Sequence, residues 1–131
     1  MIQAGSLLVI SDKTGVSVAE CIKVFGLGKR RFARLGEVVL TTVKMINRTR
    51  IKAIKKSQAK RFSKGTLHRA LLVHNRAFVH RFGSIFIRFG QNGGVLVNKQ
   101  TIPTSNRVFG PVTRELCIKH LALGSIARFI I

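Results

Sequence analysis

The sequence predicts a mainly β domain, a small barrel or sandwich, that meets a polyanion. Three observations carry this. Short runs rich in Val, Ile, Leu, Thr and Phe recur with turn residues about every 8 to 12 positions. Hydrophobic residues make up 46% of the 131, enough for one core in a chain of this length. Finally, 24 Lys and Arg stand against 4 Asp and Glu, a net charge of +20. That is several times what solubility requires. Self-repulsion of this size weakens a compact state unless a polyanion neutralises it, so nucleic acid is the partner that the composition indicates. Closing a barrel would also remove the free strand edges of a chain rich in Val, Ile and Leu.

The elements follow in order. Leu7 to Ile10 is a short apolar strand closed by the turn composition Ser11-Asp12-Lys13-Thr14-Gly15. Ala19 to Phe25 alternates, with Cys21, Lys23 and Phe25 on one face and Glu20, Ile22 and Val24 on the other. Gly26 and Gly28 break it, and Gly36-Glu37 marks another turn. Val38 to Ile46 is rich in β-branched residues and reads as a strand. The basic stretch after it suits a helix from Ile51 to Phe62, and equally an irregular or β-ribbon arm. Strand character resumes over Thr66 to Val73. Phe78 to Phe82 and Ile85 to Phe89 flank Gly83-Ser84 as a hairpin. Val95 to Val97 is a short strand, and Pro103 to Pro111 is mostly loop. Thr113 to His120 is a helix, with Thr113 as N-cap and Glu115 in its first turn. The last dozen residues suit a second short helix or a final strand.

The charge is concentrated. The acids are Asp12, Glu20, Glu37 and Glu115, and between Glu37 and Glu115 there are 16 Lys and Arg and no acid. Nine of these cations lie between Lys44 and Lys64. Such a segment gives strong, salt-sensitive binding that is largely independent of sequence. Arg31-Phe32, Arg61-Phe62, Arg81-Phe82 and Arg88-Phe89 interleave rings with cations and are candidates for stacking on bases. For Phe82, Phe86 and Phe89 the core is the favoured place; for Phe32 and Phe62 the two readings balance.

Other classes drop out. The longest stretch without Asp, Glu, Lys or Arg is Met1 to Ser11, too short for a membrane helix of about 20 residues. Neither a secretory signal nor an Arg-rich transit helix is visible. Two cysteines do not make a disulfide scaffold; Cys21, mid-strand, reads as a small buried hydrophobe. His68, His74 and His80 step by six along the chain, without the ligand spacing of a metal site. Gly26-Leu27-Gly28-Lys29 lacks the spacing of a Walker loop and its trailing Ser or Thr. With so few carboxylates, catalysis, cofactor and small-molecule substrate are not expected.

The motifs then carry a resemblance. Met1-Ile2-Gln3, the Asp12-Lys13-Thr14-Gly15 turn, Cys21-Ile22-Lys23-Val24 with Gly26, Arg30-Arg31 with Ala33, and Gly36-Glu37 occur in that order. Ala70 to Val73, Ile87-Arg88-Phe89 with Asn92, and Val95-Leu96 with Asn98 follow. Arg107-Val108-Phe109-Gly110-Pro111-Val112-Thr113-Arg114-Glu115-Leu116 is the most specific block. Together they resemble the universal large-subunit ribosomal protein L-fourteen family in its bacterial and organellar type, over residues 1 to 44 and 65 to 116. The segment 45–64 is longer and more basic than the family pattern, residues 83–89 carry an extra residue, and the tail after Leu116 is apolar where the family's is charged.

The resemblance implies one domain over residues 1–131. It would be a closed five-stranded β-barrel with a projecting basic hairpin or loop at 45–64 and a short helical C-terminal part at 113–131. It implies a structural, non-catalytic constituent of the large subunit that binds its rRNA and helps form a bridge to small-subunit rRNA. The implied neighbours are the L-three and L-nineteen protein families and a ribosome-silencing factor; no membrane is involved. A free basic β-barrel nucleic-acid chaperone is the alternative. The expected rRNA contacts are Lys23, Lys29, Arg30, Arg31, Arg34, Lys44, Arg48, Arg50, Lys52, Lys55, Lys56, Lys60, Arg61, Lys64, Arg76, Arg81 and Arg88. Lys44, Asn98, Lys99, Arg107, Arg114 and Glu115 are expected at the intersubunit or protein side, with an ion pair to Glu115 or Glu37 as the rival role for Arg114. Loss of acids and the basic insertion suggest a mitochondrial protein, encoded by the organelle, with a plastid or a bacterium as alternatives.

Overall fold

The computed structural model describes residues 1–26, 30–47, 49 and 61–131. The helix, ribbon or arm expected within 45–64 lies for the most part outside these residues. In chain order the described strands are β1 (Leu7–Ile10), β2 (Val16–Val24), β3 (Val38–Ile46), β4 (Leu67–His74), β5 (Val79–Arg81), β6 (Ile85–Ile87), β7 (Gly93–Val97) and β8 (Val108–Val112). Two short helices, α1 (Arg114–Lys119) and α2 (Leu121–Ile126), precede β9 (Ala127–Ile130). Strands β1-β2-β3-β4-β7 form a closed barrel. Its neighbours are antiparallel except at the closure, where β1 runs parallel to β7 with Val9 opposite Gly93.

Closure creates an inside that alternation can fill. Leu8, Ile10, Val16, Ala19, Cys21, Val24, Val39, Val43, Ala70, Leu72 and Leu96 form the barrel core, joined by Ile2 of the N-terminal segment and by Ala33, its bridge partner in the loop before β3. The strict alternation expected for β2 fails at one point. The register against β3 shifts between Cys21 and Lys23, so Cys21 and Val24 both point inward while Ile22 and Lys23 both lie outside. One residue out of register moves everything beyond it to the other face.

A second core lies outside the barrel. Leu71 and Val73 of β4 and Val95 and Val97 of β7 face away from the barrel interior and pack with Val108, Val112, Leu116 and Leu123. These two strands are therefore buried on both faces, which explains their unbroken apolar runs. Each fully buried Leu or Val contributes about 1.5–3 kcal/mol, so the C-terminal layer is an integral part of the fold. The segment expected to be mostly loop from Pro103 to Pro111 ends in β8, and the final residues form both of the alternatives, a helix and then a strand. β9 pairs in parallel with β8, Pro111 opposite Phe129. Gly36, at a φ of 81°, lets the turn before β3 touch this layer: a Cβ there would stand 2.7 Å from the Leu116 side chain.

Asp12 ties the turn after β1 to the barrel wall. Its buried carboxylate accepts hydrogen bonds from the Thr14 N–H at 2.9 Å, from the Thr14 hydroxyl and from the Leu96 N–H at 2.9 Å. The acid thus serves the turn in which the sequence places it.

Candidate nucleic-acid interface

The fate of the acids defines the charged surface. Asp12 is buried against backbone donors. Glu20 pairs with Lys44 at 2.6 Å, Glu37 with Arg30, and Glu115 with Arg81. Glu37 also accepts the Arg34 N–H at 2.8 Å. All four acids in the sequence are thus engaged within the chain, and the net +20 has no counter-charge of its own.

Most of the described cations expected at RNA lie on the surface. Lys23, Arg31, Arg34, Lys64, Arg76 and Arg88 are exposed. Arg30 and Lys44 are exposed and ion-paired. Arg61 reaches Asn98 Oδ1 at 3.4 Å, and Arg69 Nη1 donates to the Lys99 carbonyl at 3.4 Å, so the tip after β7 joins the end of the basic segment. Asn98, Lys99 and Arg107 are exposed there. Arg114 is also exposed, and the carboxylates considered as its partners bond elsewhere: Glu115 to Arg81 and Glu37 to Arg30. Lys29, Arg48, Arg50, Lys52, Lys55, Lys56 and Lys60 lie outside the described residues.

The rings divide differently from expectation. Phe62 belongs to the barrel core, with its ring 4.9 Å from that of His68, so the basic segment does enter the core at its C-terminal end. Phe89 is buried as expected, 4.8 Å from the His74 ring. Phe82 and Phe86, expected inside, are exposed, as are Phe78 and Phe32. The reason is topological: β5 and β6 pair only with each other, and a two-stranded ribbon has at most one face to bury.

Arg81 fixes the ribbon to the C-terminal layer. Its Nη2 donates at 2.9 Å to Glu115 Oε2 and at 2.9 Å to the Ile131 carbonyl. Hydrogen bonding from Arg81 holds the Glu115 carboxyl below its ordinary value and raises that of the guanidinium. This long-range clamp was not visible in the sequence, because 34 residues separate its ends.

The histidines do not converge. His74 Nε2 donates to the Pro111 carbonyl at 2.8 Å, and burial lowers its pKa. His68 Nε2 lies 3.1 Å from the Arg61 carbonyl and 3.0 Å from Thr66 Oγ1, and burial lowers its pKa too. His80 is on the exposed ribbon. A cleft of about 670 Å³ holds His74 as its sole titratable side chain among the described residues. His74 Nε2 is committed to the Pro111 carbonyl and its Nδ1 lies 3.5 Å from the Ser11 hydroxyl, so no second titratable side chain faces it in the cleft among the described residues. Cys21 is buried, and burial pushes its thiol up, away from the thiolate that a nucleophile requires.

The family profile described as Ribosomal protein L14p/L23e matches residues 1–131. The chain belongs to this ribosomal protein family. It is therefore a structural constituent of the large ribosomal subunit, a family role that is generally non-enzymatic. The match extends across the long basic segment and the apolar tail, where the motif resemblance had stopped. No helix among the described residues is long and apolar enough to cross a membrane.

Proposed function

We propose that this L14p/L23e-family protein binds large-subunit rRNA through its cationic surface and helps bridge that RNA to the small subunit, within a mitochondrial ribosome. The observation that supports this is the internal use of all four acids, which leaves a net charge of +20. Self-repulsion of this size weakens the compact state, and a polyanion relieves it. The basic segment 48–64 together with Arg31, Arg34, Arg61 and Arg76 supplies the phosphate contacts. Such contacts position a protein without reading sequence. Lys44, the tip at Asn98 and Lys99, and Arg114 form the side turned to bridge RNA, neighbouring L-three and L-nineteen proteins and a silencing factor. The scarcity of acids supports the mitochondrial placement.

Two measurements test this. The chain should co-sediment with the large subunit of mitochondrial ribosomes through a moderate salt wash. Recovery only in free fractions would instead favour a chaperone, and recovery with plastid or bacterial subunits would overturn the compartment alone. With purified rRNA, replacing several of Arg48, Arg50, Lys52, Lys55, Lys56, Lys60 and Arg61 by Gln should flatten the log affinity–log salt slope by roughly 0.7 to 0.9 per lost contact. An unchanged slope would remove this segment from the RNA contact.

A further inference from the structure

We infer that the outward face of the β5–β6 ribbon is a stacking platform for unpaired RNA bases, an inference that rests on the RNA-binding reading above. The register places His80 directly opposite Phe86. Period-two alternation then puts Phe78 and Arg88 on the same face, one step further from the turn. All four side chains are exposed. The Phe78 and Phe86 rings meet edge to face, with centroids 6.3 Å apart at 84°. His80 meets Phe86 at 5.1 Å and 68°, and the Arg88 guanidinium lies 5.2 Å from the Phe78 centroid. Phe82 starts the turn with its ring wholly in solvent, and the turn itself rests on Gly83 at φ 85° and Ser84 at φ 61°.

The opposite face is committed except at Ile85, which is exposed near the turn. Val79, Arg81 and Ile87 are half-buried, and Arg81 is bonded to both Glu115 and the C-terminal residue. The ribbon therefore cannot roll its rings inward without breaking that clamp. Three exposed phenylalanines on one short hairpin are an apolar patch of the kind that marks an interaction site.

The rim decides the occupant. The Arg88 guanidinium lies over the Phe78 ring, and Arg34 lines an adjoining groove of about 480 Å³ together with Met1, Leu35, Phe78 and His80. Of the acids, Asp12, Glu20 and Glu37 are engaged away from the ribbon, and Glu115 is taken up by Arg81 on the ribbon's other face. Exposed aromatic rings with Arg88 and Arg34 beside them suit a single strand, whose bases stack on the rings while its phosphates meet the guanidinium groups. An apolar protein segment would satisfy the rings and leave the cations unanswered. A duplex would satisfy the cations and leave the rings in water.

The test uses the full chain with a single-stranded RNA carrying 2-aminopurine and an RNA duplex of equal length. Wild type should prefer the single strand and change the 2-aminopurine emission. The triple variant Phe78→Leu, Phe82→Leu, Phe86→Leu keeps apolar area and removes the π-faces. It should lose about tenfold or more in single-strand affinity, and it should lose the emission change, with duplex binding, salt slope and thermal melt unaltered. Phe82→Leu alone, at the turn tip, should show part of the same loss without touching strand pairing. If the leucine variants keep both affinity and emission change, the stacking platform is wrong although RNA binding stands. Retention of these together with loss of large-subunit assembly in a matched Phe→Ala set would make the face a protein-docking surface, which also overturns the platform. Wild type binding neither RNA would overturn the underlying reading.

Discussion

The barrel and the β5–β6 ribbon are built from the same residue types and dispose of them in opposite ways. Arg61-Phe62 and Arg88-Phe89 bury their rings against His68 and His74. Arg81-Phe82 leaves its ring in solvent and buries part of its arginine instead. Hydrophobicity does not separate these cases, since the dipeptide is the same. What separates them is the number of layers available. The barrel walls β4 and β7 have an interior on one side and the C-terminal layer on the other. The ribbon has a partner on one side only, so its second face remains for another molecule.

The largest expected effect breaks the comparison at the barrel. Leu72 is fully buried in the core, and Leu72→Ala should cost about 2–5 kcal/mol, the lost transfer energy plus a cavity. Phe82→Ala, a larger deletion on the ribbon, should change stability by less than about 0.5 kcal/mol. Urea unfolding of both variants checks this. Similar losses in the two would mean that the ribbon tip packs on the body.

The next effect concerns how the barrel is held shut. Asp12→Ala would leave the Thr14 and Leu96 N–H groups without their carboxylate. An unpaired buried donor costs about 1–3 kcal/mol, so a loss of about 2–4 kcal/mol is expected. Asp12→Asn, which retains one acceptor oxygen, should lose less. Equal melting of Asp12→Ala and wild type would show that other groups satisfy those donors.

These variants also mark what was legible in the sequence. The barrel strands could be read because their apolar runs and turns are local signals, and the motif block from Arg107 to Leu116 led to the right family. Three things could not be read. The bulge at Ile22 depends on how β2 meets β3, and a one-residue shift leaves no trace in composition. Burial of Phe62 depends on where the chain re-enters the barrel after the basic segment. The Arg81–Glu115 clamp joins two ordinary surface residues. For the interface, the sign of the charge was legible from counting alone. The exposed ring face of the ribbon was not, because alternating Phe in a short strand looks the same whether or not a second layer covers it.

A smaller effect should appear in acid. Burial lowers the pKa of His74 and His68 from the ordinary 6.5, so the unfolded chain binds protons more readily. Their contribution to stability is then complete above about pH 6.5 and falls as the pH drops below it. Unfolding midpoints at pH 7.5 and pH 5 should differ in that direction. His74→Gln should diminish the difference without abolishing it, since His68 remains. A pH-independent midpoint, or one that rises in acid, would contradict the buried neutral histidines.

The smallest effect tests the junction between barrel and C-terminal layer. Thr113 stands at the N-cap of α1 in extended conformation, φ −72° and ψ 144°, as expected, but its side chain makes no capping bond. Its hydroxyl is buried with no hydrogen-bond partner among the described residues. The helix start is held by backbone instead: the Thr113 carbonyl accepts from the Leu116 and Cys117 N–H groups at 3.1 and 3.2 Å. A lost-cap penalty therefore does not apply here. Thr113→Val keeps the shape and the extended backbone and removes a buried hydroxyl that nothing satisfies. It should leave the thermal midpoint unchanged or raise stability by up to about 1 kcal/mol. Thr113→Ala should be the worse variant, because it deletes a packed methyl from a fully buried site. Thr113→Val falling below Thr113→Ala would reverse the assignment and give the hydroxyl a bond to make.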